Sequence, residues 1–550
     1  MNLHLISCCL EEGNLSYPLG ALCIQSAVNS HFTDASLCCT HTSFTLEDDP
    51  QQAARMIAPH NPSCIGLSVY LWNRAWMDRF AREMKEQDPS LVIFAGGPEA
   101  TANPTSFAWD VYDFLILGEG EVSTVQAIEQ LLAGTPPEGL GIVKRDDLPT
   151  YSPAPDLARL DSVLLSSIAD AYVTEGSSVL WEMTRGCPFH CSFCFESRGQ
   201  RSVRHVPLAR LEAELDYLIL RKVSEVYILD PTFNMDKQRT LRLLSLLGGK
   251  AQHIHFVFEV RAELLDAQLA DAFAKLDCSL QIGLQSSDAE VLAQANRRFD
   301  AKQFARNIEL LNERGLPFGL DLIIGLPLDS LDRFKRSLDY AMLLKPSNLD
   351  IFILSLLPGT LVADQASSFG LVAQEQAPYS LLNSPTFPSQ DLATALRLKK
   401  ACDLFFTVGQ AGMWLGKFCE ATALRPSTLL TLFESYLASY CRKTGKQEEE
   451  LDIFAVQEAF VLSMLRKTGA QQYQNALVSY MELHQGIAFF HTYGASPVLE
   501  LSYSLDQLSY LEHMSLDQFL ARNPVGEAQR LGIYRSDEGE LMFIPLHEEN

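Results

Sequence analysis

The sequence has no long apolar run and little positive charge. Its 550 residues carry 43 Lys and Arg against 68 Asp and Glu, a formal net charge of -25. Because affinity for nucleic acid comes largely from basic side chains that neutralise phosphates, this balance argues against a nucleic-acid partner. No stretch approaches the roughly 20 apolar residues of a membrane span, and the Met-Asn-Leu-His-Leu-Ile-Ser start lacks the basic flank of a signal peptide. We therefore expect a cytoplasmic protein with no membrane span.

Cysteine is too dilute for a disulfide scaffold. Thirteen cysteines are spread over 550 residues, and an odd number cannot pair completely, so reduced thiols are the simpler interpretation. The dinucleotide pattern GxGxxG is absent, as are internal repeats and low-complexity tracts. The length exceeds that of one compact core and predicts two to four domains.

Three of the cysteines stand close together in residues 182–195, which read Glu-Met-Thr-Arg-Gly-Cys-Pro-Phe-His-Cys-Ser-Phe-Cys-Phe. The spacing of Cys187, Cys191 and Cys194 forms a short loop whose thiolates can converge, and iron-sulfur clusters and zinc select thiolate ligands. Three thiols leave one iron of a four-iron cluster open to bind a cofactor or substrate. The alternatives are a zinc site completed by a nearby histidine, His190 or His205, or three unrelated core cysteines.

The loop resembles the CxxxCxxC loop of the radical S-adenosylmethionine (SAM) superfamily. That resemblance implies a [4Fe-4S] cluster held by the three cysteines, whose free iron chelates the amino and carboxylate groups of SAM. It also implies that Phe193, just before the third cysteine, lies against the adenine.

Residues 1–140 alternate short apolar runs with helical stretches, which predicts a doubly wound, Rossmann-like parallel sheet. The predicted strands are Leu3–Cys9, Cys64–Tyr70, Leu91–Ala95 and Phe114–Leu117, and a helix opens at Tyr17-Pro18-Leu19-Gly20. The loops after these strands meet at the edge where open α/β sheets bind ligands.

These strand-end loops, placed ahead of a CxxxCxxC loop, resemble the cobalamin-binding domain of cobalamin-dependent radical SAM enzymes. The sequence lacks the Asp-x-His-x-x-Gly motif of the mutases, so no histidine from that motif is available as lower cobalt ligand; Tyr70, Leu71 and Trp72 are the candidates for that face. Tight turns and core side chains are the structural alternatives. The implied cobalamin contacts are Ser68, Tyr70, Leu71, Trp72, Gly96, Gly97, Glu99, Gly118 and Glu119.

A linker is predicted over residues 141–175, which contain Pro149, Pro153 and Pro155. Alternating strands and helices then predict a closed or partly open parallel β/α barrel over residues 176–365, with its chemistry at the carboxyl ends of the strands. The cluster loop follows the first of those strands, Val179–Met183. The other predicted elements are helix Leu208–Leu220, strand Glu225–Leu229, helix Gln238–Leu247, strand His255–Val260, helix Leu264–Leu276, strand Leu280–Leu284, helix Ala301–Arg314, strand Gly319–Ile324, helix Leu331–Leu344 and strand Leu349–Leu356.

Later strand ends carry polar residues in an order similar to that of the oxygen-independent coproporphyrinogen dehydrogenases and the methylthiotransferases. The resemblance implies that Glu259 holds the SAM amino group, Arg297 with Gln285 the carboxylate, and Asp321 the ribose, while Gly283 leaves room for backbone approach. A Glu259 pair with Arg261, and solvated arginines at 297 and 298, are the structural alternatives. Asp230 is expected to point into the barrel mouth.

Residues 366–550 predict a mainly helical domain ending in a hairpin over Gly532–Pro545 that turns near Asp537-Glu538-Gly539. Five aromatic residues there fit a helical core better than a substrate pocket: Phe405, Phe406, Trp414, Phe418 and Tyr436.

Together the resemblances imply a methyltransferase that methylates an unactivated carbon of a small molecule or peptide through a 5'-deoxyadenosyl radical and methylcobalamin. An external one-electron donor such as flavodoxin or ferredoxin would reduce the cluster. Two alternatives stay open: a cobalamin-dependent rearrangement or cyclisation without methyl transfer, and a non-catalytic metal- or corrin-binding protein, including one stabilised by zinc.

Overall fold

The computed structural model describes residues 1–11, 13, 16–33, 36–198, 202–536 and 541–546. The chain divides into two compact units. The first contains Met1–Gln281, Gln294–Arg297 and Leu354–Ser384, and the second contains Ile282–Ala293, Arg298–Ile353 and Pro385–Asn550.

The first unit begins with a six-stranded sheet in the order β2-β1-β3-β4-β5-β6. Strands β1 to β5 are parallel and β6 pairs antiparallel with β5. Helices cover both faces, because one apolar cluster joins the sheet to α2 and α3 and another joins it to α1 and α5. The elements are β1 Asn2–Cys9, α1 Leu19–His31, β2 Cys38–Thr45, α2 Pro50–Ile57, β3 Cys64–Ser68, α3 Arg74–Gln87, β4 Val92–Gly96, α4 Pro98–Ala102, β5 Phe114–Ile116, α5 Gly120–Leu132 and β6 Ile142–Val143.

This topology confirms the predicted doubly wound sheet. Its strand order reverses direction between β1 and β3, and ligands of such sheets bind in the crevice beyond the strand ends at that switch point. Strand β6 lies in the stretch predicted to be a linker, and β2 was not predicted.

A second parallel sheet runs through the first unit in the order β11-β10-β7. The two-residue strands β8 and β9 pair antiparallel and close the base of the loop that contains the three cysteines. Strand β12 crosses from the first unit into the second. The elements are β7 Ser178–Trp181, β8 Thr184–Arg185, β9 Arg204–His205, α6 Leu208–Leu220, β10 Glu225–Ile228, α7 Lys237–Lys250, β11 His255–Val260, α8 Ala267–Phe273 and β12 Cys278–Gln285.

The second unit continues the strand and helix alternation, and β13 pairs in parallel with β14. Its elements here are α9 Ala289–Gln294, whose last residue belongs to the first unit, α10 Ala301–Asn312, β13 Phe318–Ile324, α11 Leu331–Leu343 and β14 Asn348–Ile353. The chain then returns to the first unit with α12 Leu361–Asp364, α13 Ala366–Phe369 and the antiparallel pair β15 Val372–Ala373 and β16 Leu381–Asn383.

The rest of the second unit is mainly helical, as predicted. Phe405, Phe406, Trp414 and Phe418 are fully buried and pack as core, which excludes a pocket lined by these four rings. Strands β18 and β19 form the predicted hairpin, whose turn lies outside the described residues. The elements are α14 Ser389–Cys402 with a π-helical turn Asp403–Val408, α15 Leu415–Thr422, α16 Pro426–Thr444, α17 Ile453–Thr468, α18 Gln474–Tyr493, β17 Val498–Leu501, α19 Leu505–Ser509, α20 Leu516–Arg522, β18 Gln529–Arg535 and β19 Leu541–Pro545.

Candidate functional site

The first unit contains a cavity of about 1500 Å³ at the edge of its N-terminal sheet. One side is formed by the loops that follow β1, β3, β4 and β5, and the other by residues of β7, β8 and β10. Pockets for drug-sized ligands usually measure about 300–1000 Å³. The volume therefore suits a large cofactor, or a cofactor together with a substrate.

Most of the residues predicted to contact cobalamin line this cavity. The lining contains Ser68, Tyr70, Trp72, Gly96, Gly97, Gly118 and Glu119. Leu71 and Glu99 are outside the lining. The strand-end loops thus come together at one cavity, as the sequence predicts.

Asn73 joins two of these loops and was not identified from the sequence. It is fully buried, and its Nδ2 donates hydrogen bonds to the carbonyls of Cys8 and Ser68, each at 3.1 Å. Its Oδ1 accepts a bond of 2.8 Å from the backbone N–H of Tyr70. Asn73 therefore fixes the ends of β1 and β3 relative to each other. No local sequence pattern identifies an asparagine whose buried side chain links two loops through hydrogen bonds.

The rings of Tyr70 and Trp72 stack next to Asn73 in the chain, with centroids 4.5 Å apart and an interplanar angle of 15°. Trp72 keeps 46% of its surface exposed. Gly97 supports the neighbouring loop at φ 105°, where an added Cβ would lie 2.6 Å from the carbonyl oxygen of Val69. Only glycine fits this close approach of two backbones.

Glu99 has internal partners. It is 4% exposed and accepts a hydrogen bond of 2.6 Å from the hydroxyl of Tyr379, while Arg74 Nη1 lies 3.5 Å from the same oxygen. Burial, and then the bond to Glu99, raise the pKa of Tyr379 to about 12. The Glu of Gly-Gly-Pro-Glu thus anchors a segment almost 300 residues later in the chain.

Arg185 connects the two sides of the cavity. Its Nη1 lies 2.7 Å from both Glu119 Oε2 and Glu121 Oε1, and its Nε lies 2.8 Å from Glu182 Oε2. Burial alone would lower the pKa of Arg185, but Glu121 and Glu182 raise it. Arg204 forms a second ion pair with Glu119. The Gly-Glu-Gly-Glu loop is therefore tied to the residues that lead into the cysteine loop.

Asp230 holds the same lead-in segment through the backbone. It is 1% exposed, and its Oδ1 accepts bonds of 2.9 Å from the N–H groups of Met183 and Thr184. Burial raises the pKa of Asp230 to about 6. The expectation that this side chain points into the barrel mouth is wrong, because its carboxylate bonds the buried backbone.

Cys187, Cys191 and Cys194 are half-buried cysteines in the loop between β8 and β9, and Phe193 is half-buried between the last two. The loop is anchored at Ser192, whose N–H donates to the carbonyl of Ala295 at 3.1 Å. Within the described residues, no group of three His, Cys, Asp or Glu side chains is gathered as if around one metal ion. A four-iron cluster is wider than one ion and separates its thiolate ligands, so the short three-thiol loop still suits a cluster.

A pair of arginines lies beside this loop. The guanidinium of Arg261 stacks on Phe189 at 3.8 Å and donates to Glu263 Oε1 at 3.1 Å, and Arg297 Nη2 lies 3.6 Å from the same oxygen. Burial, and then repulsion by Arg261, lower the pKa of Arg297. Arg297 is 9% exposed, so the alternative of a solvated arginine is wrong for it, whereas Arg298 is exposed.

The other residues predicted to bind SAM lie on three strands. Glu259 is exposed near the end of β11, in the first unit. Gly283 and Gln285 end β12, and Asp321 lies on β13, all in the second unit. Gln285 has a φ of 67°, and in the described part of the chain its buried Oε1 has no hydrogen-bond partner. A free acceptor on a strained backbone is a feature that a bound group can satisfy.

Two family models match the chain. The Radical SAM superfamily matches residues 181–341, and the B12 binding domain matches residues 11–128. The chain thus carries a B12-binding match ahead of a radical SAM match, the combination that the sequence predicts. Among the helices that the structure describes, none has the length and apolar character needed to cross a membrane.

Curated relatives share about a quarter of their residues with this chain. It is 26% identical over 322 residues to a 2-(S-pantetheinyl)-carbapenam-3-carboxylate methyltransferase of Streptantibioticus cattleyicolor, covering 53% of this chain and 46% of that one. It is 26% identical over 333 residues to the cobalamin-dependent radical SAM methyltransferase TokK of Streptomyces tokunonensis, covering 54% and 47%. The chain thus spans just under half the length of these relatives.

The fold is similar to that of a solved structure, the cobalamin-dependent SAM radical enzyme OxsB with aqua-cobalamin bound. The TM-score is 0.58 over 95% of this chain and 84% of that one, at 14% identity. At this identity the likeness concerns the fold, and it includes the mainly helical C-terminal region.

Proposed function

We propose that this protein methylates an unactivated carbon of a small molecule or peptide, using a [4Fe-4S] cluster, SAM and cobalamin. The observation that carries the proposal is a large cavity shared by the loops of the B12-binding domain and the segment that leads into the cysteine loop. When bound, the three cofactors supply one-electron cleavage of SAM and a transferable methyl group. The protein contributes binding, orientation and exclusion of water.

In this proposal the residues fall into three groups. Cys187, Cys191 and Cys194 hold the cluster. The predicted SAM contacts are Phe193, Glu259 and Arg297 in the first unit, and Gly283, Gln285 and Asp321 in the second. Cobalamin would contact the seven predicted residues that line the cavity, the stacked pair Tyr70 and Trp72 among them, and Leu71 stays a predicted contact. Glu99 would support the loop through its bond to Tyr379.

The curated relatives support the reaction class, because both are methyltransferases by name and one is cobalamin-dependent and radical SAM. The proposal also includes a cytoplasmic location, an external electron donor such as flavodoxin or ferredoxin, and no nucleic-acid partner, consistent with the net charge of -25. The domain boundaries at residues 140, 175 and 365 stay a prediction.

The first test is anaerobic reconstitution with iron, sulfide and cobalamin, followed by measurement of iron and corrin. About four irons and one corrin per chain are expected. A variant with Cys187, Cys191 and Cys194 all changed to Ala should lose the iron and keep the corrin. Zinc in place of iron would overturn the proposal, and iron without corrin would remove cobalamin from it.

The second test separates methyl transfer from other radical outcomes. Candidate substrates are incubated with the reconstituted protein, a reductant and SAM labelled in its methyl group. Label in the product together with S-adenosylhomocysteine and 5'-deoxyadenosine supports methylation. Turnover that forms 5'-deoxyadenosine without labelled product or S-adenosylhomocysteine would favour a rearrangement or cyclisation.

A further inference from the structure

The side of the cavity formed by β7 and β10 presents one face of the second sheet. Along β10, Val226 and Ile228 are buried, whereas Glu225 and Tyr227 line the cavity. Leu229, just past the strand, and Leu180 on β7 line it as well. This alternation places a carboxylate at the beginning of the strand and apolar side chains nearer its end.

Glu225 is held in place by a neutral hydroxyl group. Ser178, which is 4% exposed, donates a hydrogen bond of 2.8 Å from Oγ to Glu225 Oε2. Tyr227 lies on the same face of β10, and burial, followed by interaction with the Glu225 carboxylate, raises the pKa of Tyr227. Because Ser178 is neutral, it orients the carboxylate and leaves its charge in place.

The charges around Glu225 are already balanced elsewhere. The arginines of the cavity lining, Arg185 and Arg204, pair with glutamates at positions 119, 121 and 182. His255, which interacts electrostatically with Glu225, bonds Asp277 at 2.8 Å and Ser279 at 3.1 Å. No Lys or Arg of the described ranges forms an ion pair with Glu225. Once cofactor and substrate exclude water, a cation beside this carboxylate would offset the cost of burying its charge.

We propose that Glu225, with Ser178 and Tyr227, binds an ammonium or similar cationic N–H group of the substrate. This inference rests on the proposed function, which makes the cavity the site that binds cofactor and substrate. Glu225 lies four residues before Leu229, roughly 13 Å of extended strand from the edge where the strands end. The substrate class is therefore an elongated molecule with a cationic end, an apolar middle and its reacting carbon at the strand-end edge. Substrates that would place a carboxylate or phosphate next to Glu225 are excluded.

The test uses n-hexylammonium and n-hexanoate as probes, with binding to the reconstituted protein measured by calorimetry near pH 7 in the absence of SAM. Hexylammonium should bind and hexanoate should not. Glu225→Gln should weaken hexylammonium binding about tenfold or more, because a hydrogen bond to a charged group is lost. Tyr227→Phe should weaken it less, since the carboxylate remains.

The matched control is Glu212→Gln on α6, an exposed carboxylate paired with Lys250 at 2.8 Å, which should leave probe binding unchanged. Iron and corrin contents confirm that each variant folds. Equal binding of both probes, or a Glu225→Gln variant that keeps full iron, corrin and hexylammonium affinity, would overturn the inference. Loss of corrin binding by the wild type would instead overturn the proposed function, since the probe assay does not depend on turnover.

Discussion

The two sides of the cavity are built by different means. The B12-binding side consists mostly of glycines, backbone and neutral side chains, fixed by Asn73 and by close backbone approaches such as that of Gly97. Its glutamates Glu119 and Glu121 are paired with Arg185. The opposite side carries the charged residues Glu182, Arg185 and Glu225. A large surface whose charges are mostly paired suits a cofactor with many contacts of modest strength, whereas fixed charges orient a smaller partner and select against others.

Substitutions on the two sides should therefore differ in cost. On the B12-binding side a single substitution removes hydrogen bonds between loops. On the charged side it leaves buried charges without partners, which is more costly.

Arg185→Ala should have the largest effect. It leaves Glu121 and Glu182 without a cation, whereas Glu119 keeps Arg204 as its partner. Breaking a buried ion-pair network typically costs about 3–5 kcal/mol. The free energy of unfolding in urea should fall by this amount, with a parallel loss of corrin binding. Arg159→Ala is the control, because Arg159 is 87% exposed and its ion pair with Asp156 spans 3.6 Å. Similar losses in both variants would contradict the role of Arg185 as the connection between the two sides.

Asn73→Ala should rank second. Three hydrogen bonds disappear, and at about 1 kcal/mol each the free energy of unfolding should fall by about 3 kcal/mol. Asn73→Asp keeps the acceptor for the Tyr70 N–H and loses the donors to Cys8 and Ser68, so its corrin affinity should lie between those of wild type and Asn73→Ala. If titration with cobalamin gives equal affinities for all three proteins, Asn73 does not position the loops that bind the cofactor.

Asp230 should make stability depend on pH. Its pKa in the folded protein is about 6, above the ordinary value near 3.9, so the folded state binds the proton more tightly than the unfolded state. The free energy of unfolding should therefore fall as pH rises from about 4 through 6, by up to about 3 kcal/mol from this group. The difference between wild type and Asp230→Asn, measured in urea at several pH values, isolates the contribution. A difference that does not change with pH would contradict it.

Much of the fold could be predicted because local patterns determine it. Helix Leu208–Leu220 and strand His255–Val260 were predicted with the bounds that the structure shows. Strand β2 was missed because its sequence, Cys-Cys-Thr-His-Thr-Ser-Phe-Thr, is mostly polar and only Cys39 and Phe44 are buried. As an edge strand it gains its order from pairing along the whole of β1.

The site was predictable only in part, for a related reason. The cysteine spacing and the strand-end loops are local features, and they identified the cavity edge. The partners of those loops are distant in the chain: Arg185 lies 66 residues from Glu119, and Tyr379 lies 280 residues from Glu99. Such pairs arise from the packing of whole elements, which no spacing rule reveals.

Tyr379→Phe should have the smallest effect and decides how Glu99 acts. It removes one hydrogen bond to a carboxylate that keeps Arg74 as a partner, so the free energy of unfolding should fall by about 1.5 kcal/mol. If Glu99 positions the loop, Tyr379→Phe and Glu99→Gln should weaken corrin binding to a similar, small extent. If Glu99→Gln weakens it far more than Tyr379→Phe, the carboxylate contacts the corrin directly. The B12-binding side would then hold the cofactor through the buried carboxylate of Glu99, and the contrast between the two sides of the cavity would narrow.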